Sequence, residues 1–215
     1  MVRISLWVFA LGLTACGRPG TGLAVAPEQC TAGVRWAVTE GSTRTLRVWL
    51  EVPSSATPAW KFERSARLST VLDAWNSAGA PIRLVPAKSF TTSEIVVLVV
   101  DRLPLEGNRE AHIHRAGVTH LTFVEGGHIG RARTFVAEHT PRGQPYATTD
   151  QMATLMHELG HALGLPHDAG AKTLMAARPV VDNPTPRDRM HARAYYAPTA
   201  SCSRALSAVT APSPR

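Results

Sequence analysis

The chain has 215 residues, enough for one domain with a proper hydrophobic core and short attachments. A hydrophobic fraction of 44% and a charged fraction of 18% are typical of an ordinary globular protein. The formal net charge of +7 is carried almost wholly by arginine, because the only lysines are Lys61, Lys88 and Lys172. The arginines are scattered and accompany no recognisable nucleic-acid motif. We therefore exclude a nucleic-acid partner and interpret the charge as a solvated basic surface with affinity for anionic envelope polymers.

The amino terminus has the pattern of a targeting segment. Arg3 supplies a positive charge, and Ile4–Leu13 form an apolar run that is too short to span a bilayer stably. The run leads into the tetrapeptide LTAC, which resembles a bacterial lipobox with cleavage before Cys16 and a diacylglycerol on its sulfur. Residues 1–15 are therefore predicted to be a lipoprotein signal peptide, with a membrane anchor on Cys16. The alternative is an ordinary secretory signal in which Cys16 is incidental. Gly17, rather than Asp, after the cysteine favours the outer membrane of a Gram-negative cell.

The rest of the chain divides into a tether, one domain and a tail. Residues 16–42 are rich in Gly, Pro and Thr and indicate a tether. Residues 43–202 carry the strand and helix patterns of a single α/β domain. Residues 203–215 are small and polar with two prolines, so we expect them to be disordered.

Five segments have the apolar patterns of β-strands. They are Thr45–Val52, Ile82–Val85, Glu94–Val100, Val118–Val124 and Arg131–Ala137. Glu94–Val100 is nearly continuously apolar, which is typical of a central strand buried on both faces.

Three segments have helical patterns. The first, Phe62–Asn76, places its larger apolar residues at helical spacing: Phe62, Leu68, Val71, Leu72 and Trp75. A capping box of Thr148 and Gln151 is expected to open the second helix. The last helix is expected to have Thr185 as N-cap, Pro186 at the first position and Asp188 at the third, and to end near Tyr196.

The stretch HELGHALGLPHD at residues 157–168 contains three histidines at the spacing of metal ligands. His157 and His161 are four residues apart, so both project from one face of a helix and can reach one metal at about 2.0–2.1 Å. Gly164 can take a positive φ, end the helix and bring His167 back as a third ligand. Three protein ligands leave a fourth position open for water, which is typical of a catalytic rather than a structural zinc.

This stretch resembles the metzincin clan, HExxHxxGxxH, and within it the matrixin-like zinc endopeptidases. Asp168 follows the third histidine, where the clan carries a family-specific residue. Met175, eight residues after that histidine, resembles the Met-turn, in which a methionine forms an apolar floor beneath the zinc ligands. Plain core filling is the alternative for Met175. Ala177 occupies the position where some clan members have a tyrosine that binds the metal, so we expect no tyrosine ligand here. The resemblance covers Thr43–Ala197.

The resemblance implies an α/β zincin fold. Such a fold has a twisted mixed sheet of about five strands with an antiparallel edge strand, a zinc-site helix, the Met-turn and a C-terminal helix. The edge strand would be Val118–Val124, to which an extended polypeptide substrate adds as a further strand. Ala176–Pro184 would line the pocket for the substrate residue after the cleaved bond. Its Ala, Val and Pro residues favour an apolar side chain in that pocket, but Arg178 leaves the preference open.

The same residues predict a mechanism. The zinc acts as a Lewis acid and lowers the pKa of water, while Glu158, about 100° further round the helix than His157, serves as the general base without being a ligand. We expect Asp168 to hold the ligand loop by hydrogen bonds. The predicted function is a zinc-dependent endopeptidase acting as a monomer, exported and either lipid-anchored at the cell envelope or secreted.

Further histidines raise the question of a second metal. Four of them cluster before the zinc helix, in the region where matrixins hold a structural zinc and calcium ions: His112, His114, His120 and His128. The Asp-rich spacing of calcium sites is missing, and solvent-facing strand or loop histidines are the default interpretation. We therefore expect one catalytic zinc and neither a second structural zinc nor calcium.

The cysteines left after Cys16 form an even pair, Cys30 and Cys202. An oxidising compartment favours a disulfide between them. The alternative is that the Cys30 thiolate caps the zinc, as in latent matrixins, but EQCTAG does not resemble the latency motif.

Two other functions stay open. One is a catalytically silent, surface-anchored binding protein with a zinc fold, for which the best argument is that no propeptide is visible to restrain a protease. The other is an amidase acting on cell-wall peptides. Retention of Glu158 argues against the silent form, since an inactive descendant would be expected to lose it.

Overall fold

A five-stranded mixed sheet forms the centre of the domain. The computed structural model describes residues 34–103, 116–169 and 172–197. The strands are β1 Arg44–Glu51, β2 Ile82–Pro86, β3 Ile95–Val100, β4 Gly117–Phe123 and β5 Ile129–Ala137. Their spatial order is β2-β1-β3-β5-β4, and every neighbouring pair is parallel except β4 with β5. The predicted α/β fold with an antiparallel edge strand is therefore confirmed.

The middle strand, β3, is the most deeply buried. Ile95, Val96 and Val97 expose at most 1% of their surfaces, although the two faces of the strand alternate along the chain. Both faces are covered at this point, as the continuous apolar run predicts. The second half of the strand is only partly buried.

The described residues form three α-helices: α1 Pro58–Asn76, α2 Thr148–Ala162 and α3 Pro186–Tyr195. Helix α1 begins four residues before the predicted start, because the Thr57 side chain accepts a hydrogen bond from the Trp60 backbone amide and caps it. Of the apolar residues at helical spacing, Phe62 is not part of the core, since 79% of its surface is exposed. At about 100° per residue, Phe62 lies far round the helix from the buried stripe that ends at Trp75.

The predicted capping box of α2 is wrong. Ala147 is the N-cap, and it makes no side-chain capping bond. The Gln151 Oε1 atom instead accepts hydrogen bonds from Arg64 at 2.5 Å and Arg67 at 3.0 Å, and the Thr148 hydroxyl accepts one from Arg67 at 3.3 Å. Arginines of α1 thus engage the side chains that would otherwise have capped α2.

The cap of α3 forms as predicted. The Thr185 hydroxyl accepts a hydrogen bond from the Asp188 backbone amide, and the Asp188 carboxylate accepts one from the Thr185 amide at 2.8 Å. Pro186 occupies the first helical turn, where a missing amide hydrogen costs nothing.

Residues 34–38, part of the segment that composition assigns to the tether, pack against the domain. Trp36 is fully buried, and its indole Nε1 donates to the Ala162 carbonyl at 2.9 Å. That carbonyl lies in the last turn of α2, where no intrahelical donor is available. One large aromatic therefore anchors a segment whose neighbours have a linker composition. The predicted signal peptide, Cys16, Cys30, Cys202 and the tail lie outside the described residues.

Within the described ranges, none of the helices has the length and hydropathy that a membrane crossing needs.

Candidate metal centre

Helix α2 brings the first two histidines together. The Nε2 atoms of His157 and His161 lie 3.0 Å apart, and the ring centroids are 4.6 Å apart. Two nitrogens that bind one tetrahedral ion at 2.0–2.1 Å lie about 3.3 Å apart, so this separation is close to that of a bound pair. His157 is buried and His161 is half-buried.

The turn after α2 places the third histidine. Gly164 has a φ of +89°, and the Leu165 amide donates back to the Gly160 carbonyl at 3.0 Å, which closes the helix end. The His167 ring then lies 5.3 Å from that of His157 and 4.7 Å from that of His161. One ligand atom from each of the three lies within 4.8 Å of the others, close enough to bind one metal ion.

Replacing Gly164 with alanine is expected to destabilise the domain. A Cβ atom there would lie 2.2 Å from the Val34 carbonyl oxygen, and an alanine at this φ is itself strained. We expect the free energy of unfolding to fall by about 2–3 kcal/mol, measured by urea denaturation. Gly41→Ala is the matched control, because it has a positive φ of 73° but no atom within 4 Å of the new Cβ. Equal losses in the two variants would contradict a role for the close approach at Gly164.

Backbone carbonyls fix which nitrogen each histidine offers. The Nδ1 atom of His157 lies 2.6 Å from the Leu174 carbonyl oxygen, and that of His161 lies 2.8 Å from the Leu165 carbonyl oxygen. A carbonyl can only accept, so both Nδ1 atoms carry the hydrogen. Burial lowers the pKa of His157, which favours the neutral ring. The Nε2 atoms, 3.0 Å apart, therefore offer lone pairs on the same side, an arrangement that a cation between them stabilises. The donor set fits a metal ion.

Met175 packs directly beneath the helix that carries the two ligands. It is 2% exposed, and a Cβ atom added at Gly160 would lie 2.3 Å from its sulfur. Gly160 directly precedes His161, so the methionine lies against the segment between the two ligands. Its neighbour Leu174 is fully buried and supplies the carbonyl that accepts from His157.

Asp188 holds this segment from below, a role that the sequence analysis missed. Its carboxylate accepts hydrogen bonds from the Leu174 amide at 2.9 Å and the Met175 amide at 3.0 Å, and the residue is fully buried. The sequence shows Asp188 only as the third residue of α3. Nothing in its local pattern indicates partners 13 and 14 residues away.

Asp168 ties the His167 loop to α3. Its carboxylate, 3% exposed, accepts from the Arg187 Nε atom at 2.6 Å and from the Nη2 atom at 3.0 Å. This hydrogen-bonded carboxylate raises the pKa of Arg187. The Asp168 amide also donates to the Met175 carbonyl at 2.7 Å. These bonds join the third ligand's loop to the methionine segment and to the last helix.

Glu158 points towards the edge strand. It is 6% exposed, and its Oε2 atom accepts a hydrogen bond from the Thr119 hydroxyl of β4 at 2.8 Å. The general-base candidate therefore lies between the ligand helix and the strand predicted to take substrate. The sequence did not predict the role of Thr119 either, because nothing near this threonine in the chain indicates a hydrogen bond to Glu158.

Other predicted positions lie away from the histidine group. His120 is exposed on β4 with its ring 5.4 Å from that of Phe135, and the His128 Nδ1 atom lies 3.3 Å from the Arg35 carbonyl oxygen. Of the residues whose placement is described, only His157, His161 and His167 form a group of three or more converging ligands. His112 and His114 lie outside those residues. In the predicted pocket segment, Ala176 is buried, whereas Arg178 and Val180 are exposed.

The sheet with its antiparallel edge, together with a helix carrying HExxH, is compatible with a zincin. A scan against models of protein families finds no match for the chain, and a search among curated proteins finds none. The geometry of the three histidines and of their hydrogen-bond partners is therefore the basis for a functional proposal.

Proposed function

We propose that this protein is a matrixin-like zinc endopeptidase of the metzincin clan. The observation that carries the proposal is the pair of Nε2 atoms 3.0 Å apart, each oriented by a carbonyl, with a third imidazole beside them. Three neutral imidazoles are a donor set typical of a catalytic zinc, which keeps one position open. His157, His161 and His167 would hold the ion.

The chain supplies a proton acceptor beside this group. When bound, zinc supplies a Lewis acid that lowers the pKa of water and stabilises negative charge on a carbonyl oxygen. Glu158 accepts a proton from the attacking water and passes it to the leaving amine. Thr119 holds the carboxylate through its 2.8 Å hydrogen bond. Low exposure of Glu158 limits competition from bulk water.

A polypeptide is the substrate that the sheet edge favours. Strand β4 pairs with β5 on one side, and no other strand of the described residues pairs with it on the other. An extended peptide can add to such an edge through its backbone groups, with little demand on its sequence. Because Thr119 of β4 contacts Glu158, a peptide along this edge passes the proton acceptor. Anchoring through Cys16 would place this activity at the cell envelope.

The full chain, loaded with zinc, is expected to cleave a mixed peptide library, with the cut sites identified by mass spectrometry. Chelation should abolish cleavage and added zinc should restore it, because the three imidazoles hold the ion that activates water. His161→Ala should lose both zinc and cleavage. His139→Ala is the matched control, since this histidine pairs with Asp101 outside the trio and should keep both.

Cleavage that persists under chelation would contradict the proposal. Stoichiometric zinc binding without any cleavage would favour the silent binding protein instead. Cleavage of short cell-wall peptides alone would favour the amidase.

A further inference from the structure

The carboxylate of Glu158 is held by Thr119, whose hydroxyl is in turn bonded to that of Thr134 on the neighbouring strand. The Thr119 hydroxyl of β4 lies 2.8 Å from the Glu158 Oε2 atom and 2.9 Å from the Glu158 backbone carbonyl oxygen. Thr134 of β5 lies directly opposite Thr119 in the sheet, and the two hydroxyl oxygens are 3.1 Å apart. Thr134 is fully buried. The sheet thus presents one hydroxyl to the carboxylate, with a second hydroxyl bonded behind it.

The directions of these hydrogen bonds follow from the number of protons. A hydroxyl donates once and can accept twice. When Glu158 is ionised, Thr119 donates to the carboxylate and Thr134 donates to Thr119. Thr119 thus fixes the carboxylate directly, and Thr134 fixes the hydroxyl of Thr119.

A glycine two residues before Thr119 lets the strand approach this closely. A Cβ atom at Gly117 would lie 2.6 Å from the Glu158 Cγ atom and 2.7 Å from the Thr154 Cγ2 atom. Real Cβ atoms do not approach other atoms so closely, so any larger residue would force β4 and α2 apart or turn the Glu158 side chain. Gly117 and Thr119 together confine Glu158 to one side of the strand.

We propose that Thr119, on the edge strand β4, is a positioning residue for the general base Glu158. The inference rests on the proposed function, because it assigns Thr119 to the same reaction. The hydroxyl holds the carboxylate in the orientation from which it accepts a proton.

Thr119→Val keeps the shape of the side chain and removes the hydroxyl. We expect kcat for peptide cleavage to fall about ten- to a hundredfold, the worth of one hydrogen bond to a charged group, with KM and zinc content unchanged. Thr119→Ser should recover most of the rate because the hydroxyl returns. Thr70→Val is the matched control, since this threonine is exposed on α1, its hydroxyl donates to the Ala66 carbonyl of its own helix, and its loss should leave kcat unchanged.

A second readout does not depend on activity. In the metal-free full chain, the free energies of unfolding of Thr119→Val, Glu158→Leu and the double variant form a cycle that isolates their interaction. We expect the two effects to be non-additive, because each substitution removes the same hydrogen bond.

Additive effects in the cycle would overturn the inference, as would a Thr119→Val enzyme with wild-type kcat or a Thr119→Ser enzyme without recovery. In those cases a cleaving wild type would leave the proposed function standing. A zinc-loaded wild type that cleaves nothing would overturn both.

Discussion

Glu158→Gln is expected to lower kcat for peptide cleavage by about a thousandfold or more, with one zinc still bound per chain. A glutamine has the size of the glutamate and can still accept the Thr119 hydrogen bond, but its amide does not take a proton from water. Proton transfer by a positioned side chain contributes about 10²–10⁴ to the rate, so nearly all of that contribution should be lost. The measurement is steady-state kinetics on one cleaved peptide, with the zinc content determined by atomic emission.

The matched control for this prediction is Glu125→Gln. Glu125 is exposed in the short turn between β4 and β5, so the substitution makes the same change of charge outside the histidine group. It should leave kcat within a factor of about two. Cleavage retained by Glu158→Gln would remove Glu158 from the mechanism. Loss of zinc in that variant would show that Glu158 affects metal binding, and not only proton transfer.

Asp188→Ala is expected to lower the free energy of unfolding by about 3–5 kcal/mol in the metal-free protein. Three backbone amides lose their acceptor at once, those of Leu174, Met175 and Thr185. A buried donor left without a partner costs about 1–3 kcal/mol, and relaxation or entering water recovers part of the sum. Urea denaturation monitored by tryptophan fluorescence gives the value.

Asp182→Ala serves as the matched control, because Asp182 is an exposed acid a few residues upstream of α3. Its effect should stay within about 0.5 kcal/mol. Similar losses in both variants would show that the buried carboxylate contributes nothing beyond its charge. The zinc affinity of Asp188→Ala should also fall, since the Leu174 carbonyl that orients His157 belongs to the released segment.

The parts of this structure that the sequence predicted depend on short-range spacing. His157 and His161 share a helix face because four residues make about one turn, and Gly164 ends the helix because its φ is positive. The cap of α3 likewise involves residues three apart. In each case the interacting groups are close in the chain, so the local sequence is sufficient to predict the contact.

The parts that escaped prediction depend on contacts between distant residues. Thr119 and Glu158 are 39 residues apart, and Trp36 and Ala162 are 126 apart. A threonine in a strand or a tryptophan in a linker is common, so neither residue by itself indicates a distant hydrogen-bond partner. The capping box of α2 failed for the same reason, because Arg64 and Arg67 of another helix compete for Gln151. A side chain forms the cap that its local sequence favours only where no residue from elsewhere in the fold binds it instead.

The single carboxylate of Asp188 has a consequence for how the native state opens. It accepts from the first turn of α3 and from the backbone under the histidines, so neither segment can separate from the other without losing bonds in both. In native-state hydrogen exchange the amides of Leu174, Met175 and Thr185 then belong to one cooperative unit with a common opening free energy. We therefore expect that unfolding of the first turn of α3 also releases Leu174 and Met175 from beneath the histidine ligands.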